Sequence, residues 1–305
     1  MNSTPQKARS TPSLDDIRQM FEQHGYISDP QIEMSLYLAL QLRKPLLIEG
    51  PAGVGKTAIA HVMAQALRTE LIRLQCYEGL DATHALYEWN YPRQLLYLQI
   101  LDRQNRSADA IEADLFSEKF LLRRPLLNAI SQPHPVVLLI DEIDRADEEF
   151  ESFLLELLSE WQITIPEIGT IRAQSIPHVI LTGNRTRELS EALRRRCLYL
   201  WIDYPSPDKE LQIIHAHIPH IHQQLAQHIT AFMYELRQLK LEKTPGISET
   251  IDWAQTLATL HYDHLDKHII EQTLGVILKN WEDMRLTRDS LSDILEKTGI
   301  QSRFL

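Results

Sequence analysis

A doubly wound parallel α/β domain followed by an all-helical one is the fold class this sequence predicts, and three observations carry that expectation. Short, uninterrupted apolar runs alternate with helical patterns through residues 14 to 205. One of those runs, Pro45-Leu46-Leu47-Ile48-Glu49, feeds a glycine-bearing loop that opens a helix. After Tyr204-Pro205-Ser206-Pro207 the strand signal stops, and the rest of the chain is helical in pattern.

The elements follow in order. Residues 1–13 are polar and rich in Pro, Ser and Thr, with no apolar core of a signal peptide, and are expected to form a disordered lead-in. Leu14 to Leu42 carries one or two helices, broken near Gly25 and Asp29-Pro30. The apolar run ending at Glu49 is a buried strand. Ala58 to Leu67 has apolar residues at helical spacing and neither Pro nor Gly. Glu70 to Cys76 alternates as a second strand, and a long excursion, Tyr77 to Ser131, follows. Val136 to Ile140 is a continuous apolar run, as expected of a parallel strand buried on both faces. Phe150 to Trp161 is an amphipathic helix. Gln162 to Pro177 reads as a hairpin turning around Gly169, and Val179–Thr182 and Leu198–Ile202 are the remaining strands. The domains implied are a nucleotide-binding core over 14–205 and a helical domain over 206–305.

Composition bounds the function. With 44% hydrophobic and 24% charged residues among 305, the chain lies in the globular range. A net charge of −11 argues against non-specific duplex binding, which needs a basic footprint. No apolar run approaches the ~20 residues of a membrane span. Cys76 and Cys197 have neither metal-ligand nor redox spacing, so both are read as reduced packing residues of a cytoplasmic protein. The C-terminal histidines, with His261, His264 and His268 on one helical face, are read as solvated.

Four segments carry chemistry. Gly50-Pro51-Ala52-Gly53-Val54-Gly55-Lys56-Thr57 fits the phosphate-loop pattern G-x-x-x-x-G-K-[ST], with a strand before it and a helix after it. Its glycines let backbone N–H groups converge on a phosphate, and the helix N-terminus adds a favourable dipole. Lys56 would reach the β- and γ-phosphates of ATP, and the Thr57 hydroxyl would ligate Mg²⁺. The second segment, Val136 to Glu142, ends a buried strand in two carboxylates. Asp141 there would hold Mg²⁺ through water, and Glu142 would polarise the attacking water; the alternative is a helix cap. The third, Val179 to Asn184, ends another buried strand in an amide that could orient that water or simply cap a turn. The fourth, Ala192-Leu193-Arg194-Arg195-Arg196-Cys197, holds three arginines that cannot all face one way on a helix. One would point to a neighbouring molecule as an arginine finger, unless all three are a solvated patch.

These four elements in this order resemble the Walker A, Walker B, sensor 1 and arginine-finger motifs of AAA+ ATPases. The chain resembles the MoxR branch, on Leu46 to Thr57, on Asp141-Glu142-Ile143-Asp144-Arg145-Ala146, and on the hairpin before Asn184. Cys76-Tyr77-Glu78-Gly79-Leu80-Asp81 and Arg195 to Pro205 resemble the CoxD-type subgroup. The resemblance covers residues 30 to 260 and implies a P-loop core with a five-stranded parallel sheet between helices, a helix-2 insert around Tyr87–Tyr91, and a small helical lid. It implies a homo-hexameric ring with ATP between subunits, Arg196 as the finger and Arg195 as a second candidate. The Tyr87–Tyr91 cluster would grip a client in the pore or pack the insert. It further implies remodelling of a metalloenzyme client of the molybdenum hydroxylase kind, beside a partner with a von Willebrand factor A domain. Other readings are a nucleic-acid-stimulated motor and a nucleotide-gated scaffold with little turnover. The scaffold reading comes from one departure: Gly246-Ile247-Ser248-Glu249-Thr250 places Thr250 where the family presents its sensor 2 arginine. Arg194, Arg195 or a lid residue would have to replace that cation.

Overall fold

The computed structural model describes residues 12–101 and 107–300. The lead-in assigned to residues 1–13 lies outside them except for Pro12 and Ser13. Ser13 begins the first helix, Leu14–Gln23, reciprocally: its hydroxyl accepts from the Asp16 N–H at 3.2 Å, and its own N–H donates to the Asp16 carboxylate at 2.8 Å.

Among the described residues nine strands form three sheets: β1 Leu46–Glu49, β2 Leu71–Gln75, β3 Tyr87–Trp89, β4 Leu121–Arg123, β5 Val137–Asp141, β6 Gln162–Ile165, β7 Gly169–Arg172, β8 His178–Gly183 and β9 Leu198–Trp201. The main sheet is parallel and runs β2-β5-β8-β1-β9. Every residue of β1 and β5 is buried, as is β8 from Val179 onward, which explains why these segments read as unbroken apolar runs. At the sheet's margin, β2 alternates between buried and exposed positions. The hairpin before β8 is β6 with β7, and helix Glu148–Glu160 precedes it. Asp147 caps that helix by accepting from the Phe150 N–H at 2.8 Å, and Trp161 ends it in a left-handed conformation. The excursion between β2 and β5 contains an element with no sequence signal. β3 and β4 pair antiparallel, with Trp89 opposite Leu121.

The chain divides into two compact units. The first is Met1–Met20, Pro30–Glu49 and Ala60–Leu200; the second is Phe21–Asp29, Gly50–Ile59 and Trp201–Leu305. The first contains the sheet and a core that includes Leu138, Ile140, Phe150, Leu154 and Leu181. In the second, helices Pro207–His217, Gln223–Leu236, Ile247–Thr259, Lys267–Ile277 and Trp281–Thr298 enclose their own core. Trp253 is fully buried there with its ring centroid 5.3 Å from that of Phe232, and its indole N–H donates to the Thr273 hydroxyl at 2.8 Å. A buried indole of this kind is worth about 3–5 kcal/mol against alanine. No helix among the described residues is long and apolar enough to cross a membrane.

Candidate functional site

At the C-terminal edge of the main sheet β5, β8 and β1 end side by side, because β8 lies between the other two. The chain leaves β1 toward β2 on one side and leaves β8 toward β9 on the other. Such a reversal is where open parallel sheets place ligands. β5 ends on Asp141, which is 3% exposed. Its Oδ2 accepts from Arg73 Nε at 3.1 Å and Nη2 at 2.5 Å, and its Oδ1 accepts from the Thr182 hydroxyl of β8. That hydroxyl also accepts from the Glu142 N–H at 3.0 Å. One buried side chain thereby fixes two consecutive residues. Glu142 turns the chain out of the strand in a left-handed conformation (φ 55°, ψ 48°), which costs a non-glycine residue about 1–2 kcal/mol. Its carboxylate accepts from Gln75 Nε2 at 3.0 Å and pairs with Arg145 at 2.9 Å. Arg73 Nη2 closes the chain of contacts by donating to Gln75 Oε1 at 2.5 Å. Glu142 makes no side-chain capping bond, and the next helix is capped by Asp147.

Asn184 follows β8. Its N–H donates to Asp144 Oδ2 at 3.0 Å, and the same oxygen accepts from the Thr186 N–H and hydroxyl at 2.8 and 2.7 Å. The buried Asp144 therefore fixes the backbone on which the amide is carried. Beside them, Glu49 ends β1 at 4% exposure and accepts from the Tyr199 hydroxyl at 3.0 Å. Burial, then the bond to Glu49, raises the Tyr199 phenol above its ordinary pKa.

The arginines sit on the short helix Glu191–Arg196, capped by Ser190. Glu151, 1% exposed, ties this helix down by accepting from Arg187 Nη2 at 2.6 Å and from the Ser190 N–H at 2.8 Å. The three arginines are exposed and diverge. Arg194 lies 6.0 Å from the Tyr199 ring centroid, Arg195 pairs with Glu191, and Arg196 donates to the Ser159 hydroxyl and to the Ala192 carbonyl.

The loop that follows β1 belongs to the second unit, and its three glycines bear on three different stretches of that unit. A Cβ at Gly50 would fall 1.9 Å from the Ile202 carbonyl oxygen, at Gly53 3.1 Å from Gly246 Cα, and at Gly55 3.7 Å from the Tyr26 ring. Gly53 also has φ +75°, a conformation that glycine alone adopts freely. Lys56 is 7% exposed, and its ammonium donates to the Gly50 and Pro51 carbonyls at 2.8 and 2.6 Å. Lys56 and Thr57 open helix Lys56–Leu67, whose first N–H groups have no partner within the helix. The Thr57 hydroxyl in the second unit and the Asp141 carboxylate in the first are each an oxygen donor of the kind Mg²⁺ takes alongside water and substrate phosphates.

Residues 46–201 match the family model of the AAA domain, the ATPase family associated with various cellular activities. The chain is an AAA ATPase. It is 26% identical to an uncharacterized protein of Staphylococcus epidermidis, over 70% of this chain and 75% of that one. It is 23% identical to the gas vesicle ATPase GvpN of Haloferax mediterranei, over 88% of this chain and 77% of that one. Among solved structures it is similar to a RuvB variant of Thermotoga maritima, at 19% identity and a TM-score of 0.48, over 94% of this chain and 82% of that one.

In this AAA ATPase, Thr250 is fully buried. Its hydroxyl donates to Glu210 Oε1 at 2.7 Å and accepts from Arg237 Nη2 at 2.9 Å. Arg237 also forms a two-point pair with Glu210, at 2.7 and 2.8 Å, and donates to the Pro245 carbonyl at 3.0 Å. A guanidinium thus lies beside the position where the sequence lacks one, but it belongs to a buried ion pair. The histidine face over 261–268 does not form. Helix Ile247–Thr259 stops short of His261, which takes a left-handed conformation, and the next helix begins at Lys267. No group of three potential metal ligands gathers among the described residues. Both cysteines are free, and burial raises each thiol to about 12. The sequence reading passed over Thr182, Gln75, Arg73 and Asp144. Only Asp144, a carboxylate three residues after Asp141, carried a signal that could have found it.

Proposed function

We propose that the chain is an ATP-driven remodelling ATPase of the MoxR type, acting as a ring, as a homo-hexamer, in the cytoplasm. In this reading the backbone of Gly50 to Gly55 and the Lys56 ammonium hold the phosphates of ATP, and Thr57 and Asp141 would hold Mg²⁺. The cation neutralises charge on the phosphate oxygens when bound. Glu142 takes the proton of the attacking water, and the Asn184 amide orients that water. Arg196, with Arg195 as the second candidate, meets the γ-phosphate in the neighbouring subunit. The resemblance to CoxD-type chains adds a von Willebrand factor A partner and a metalloenzyme client of the molybdenum hydroxylase kind.

One observation favours a polypeptide client over a nucleic acid. Helix Tyr91–Leu101 exposes Tyr91, Leu95, Leu96 and Ile100 to about three-fifths of their surface, and Arg93 is its single charged residue. Trp89, by contrast, is buried and Tyr87 half-buried, so of the aromatic residues at 87–91 it is Tyr91, the first residue of this helix, that is exposed. Exposed apolar helix surface of this kind suits unfolded polypeptide, whereas a nucleic-acid track needs cations. The test is steady-state ATPase with an unfolded polypeptide and with single- and double-stranded DNA. Stimulation by polypeptide, lost in Leu95→Asp/Ile100→Asp while basal turnover is kept, is the expected result. Stimulation by DNA alone would overturn the reading.

A further inference from the structure

We propose that the start of helix Ile247–Thr259 sets the affinity of the phosphate loop, with Gly246 as a positioning residue and Glu249 as an opposing charge. The inference rests on the reading that Gly50–Thr57 holds the triphosphate. Gly246 has an ordinary extended backbone (φ −89°, ψ −167°), so its own conformation does not require glycine. Its surroundings do. A Cβ there would fall 2.8 Å from the Ala52 carbonyl oxygen, 2.8 Å from Gly53 Cα and 2.9 Å from the Gly53 carbonyl carbon. All three are backbone atoms of the loop and cannot swing aside as a side chain would. The next residue adds a directional contact, since the Ile247 N–H donates to the Gly53 carbonyl at 2.8 Å. The middle of the phosphate loop and the first turn of this helix therefore share one geometry.

Gly246 is itself held from behind. Its N–H donates to Glu249 Oε2 at 2.9 Å, and its carbonyl accepts from the Thr250 N–H at 3.2 Å. The Glu210–Arg237–Thr250 network thus transmits the position of the helical core to the loop. Glu249 Oε2 also lies 3.3 Å from the point where a Gly53 Cβ would be. A carboxylate there faces the middle of a loop built to receive a polyanion. At that range like charges repel appreciably even near solvent, which lowers affinity for nucleotide. The same carboxylate fixes Gly246 through a hydrogen bond that a glutamine oxygen can also accept.

The experiment measures KM and kcat for ATP, the Kd of a fluorescent ATP analogue, and thermal unfolding, for the full-length wild type, Gly246→Ala, Glu249→Gln and Lys56→Ala. Glu249→Gln keeps the bond to the Gly246 N–H and removes the charge, so KM and Kd should fall about threefold or more with the melting temperature little changed. Gly246→Ala should raise both about fivefold, the effect of one backbone hydrogen bond in the loop, and leave kcat at saturating ATP within about twofold. Wild-type KM and Kd in both variants would overturn the proposal, as would a lowered melting temperature without any change in affinity. If Gly246→Ala does not fold, Glu249→Gln decides alone, because a purely structural role predicts no gain in affinity. Lys56→Ala separates this inference from the reading beneath it. If it retains full nucleotide binding, the loop assignment itself fails; if it loses binding while the other two variants bind as wild type, only the role of the helix start fails.

Discussion

Asp141 and Glu142 are held by side chains: the Thr182 hydroxyl, the Gln75 amide and the guanidinium groups of Arg73 and Arg145. The loop Gly50–Thr57 is held by backbone, with the Ile202 carbonyl against Gly50 and Gly246 with the Ile247 N–H against Gly53. The two modes of support differ in what they tolerate. A side-chain hydrogen bond can be re-made by a related residue of the same length. A backbone contact at 2.8 Å has no substitute, because any Cβ displaces the chain it touches. The phosphate-loop pattern is therefore legible in sequence partly because the packing of the protein behind the loop demands glycine at Gly50 and Gly53, and on the proposed reading the approach of a phosphate would demand it again.

The arginine helix sharpens the comparison and carries the largest expected effect. It is anchored through Glu151 and Ser190, while Arg194, Arg195 and Arg196 remain exposed. Arg196→Ala should leave ATP binding intact and lower turnover by about 10³-fold or more, as expected of a cation that acts on charge in the transition state. Arg195→Ala should cost far less. Mixing Arg196→Ala subunits with Lys56→Ala subunits should restore part of the activity, since some interfaces then pair an intact loop with an intact finger. Steady-state ATPase across mixing ratios checks this, and a flat response in rings shown to exchange subunits would mean that Arg196 acts within its own subunit.

Next in size is the network behind the loop. Glu210 is 1% exposed and the Arg237 side chain 6%, so Glu210→Ala leaves a buried guanidinium without its partner. The expected cost is about 3–5 kcal/mol in thermal or denaturant unfolding. Thr250→Arg should lower stability as well, since it adds a second guanidinium to a fully buried site already holding Arg237. A rise in ATPase rate in that variant would show that the residue reaches solvent and supplies the absent cation. The contrast at the sheet edge is Asp141→Asn. Its partner Arg73 is half exposed, so water can take up the freed guanidinium and stability should change little.

These differences also explain what the sequence could and could not disclose. The buried strands were legible because burial on both faces demands unbroken apolar runs, as in Val137–Asp141 and His178–Gly183. β3 and β4 were not, since each is three residues long and pairs with a partner distant in the chain. Asp141 and Glu142 stood out as paired carboxylates at the end of an apolar run. Arg73, Gln75 and Thr182 did not, because their contacts depend on β2 and β8 lying on either side of β5, and strand order has no local signature. Thr250 read as a missing arginine, whereas its neighbours Glu210 and Arg237, distant in sequence, explain why a small hydroxyl residue stands there. His261, His264 and His268 are exposed as expected of solvated residues, but they share no helical face, because a turn separates helix Ile247–Thr259 from helix Lys267–Ile277.

A change at Thr182 tests the distinction between the two modes of support most directly. Thr182 is 1% exposed, accepts from the Glu142 N–H and donates to Asp141 Oδ1. Thr182→Val keeps the volume and removes both bonds, leaving a partly buried N–H without its acceptor at a cost of about 1–3 kcal/mol. The left-handed turn at Glu142 then loses its anchor, and the carboxylate is no longer held in one position. The expected result is a fall in kcat of about tenfold with KM for ATP nearly unchanged, because the loop proposed to bind the phosphates has its own backbone support. Thr182→Ser restores the hydroxyl and should recover most of kcat. A serine variant as slow as the valine variant would mean that packing of the methyl group, rather than the hydrogen bonds, positions Glu142. That outcome would remove the distinction drawn here, since side-chain support would then be as intolerant of substitution as the glycine contacts behind the loop.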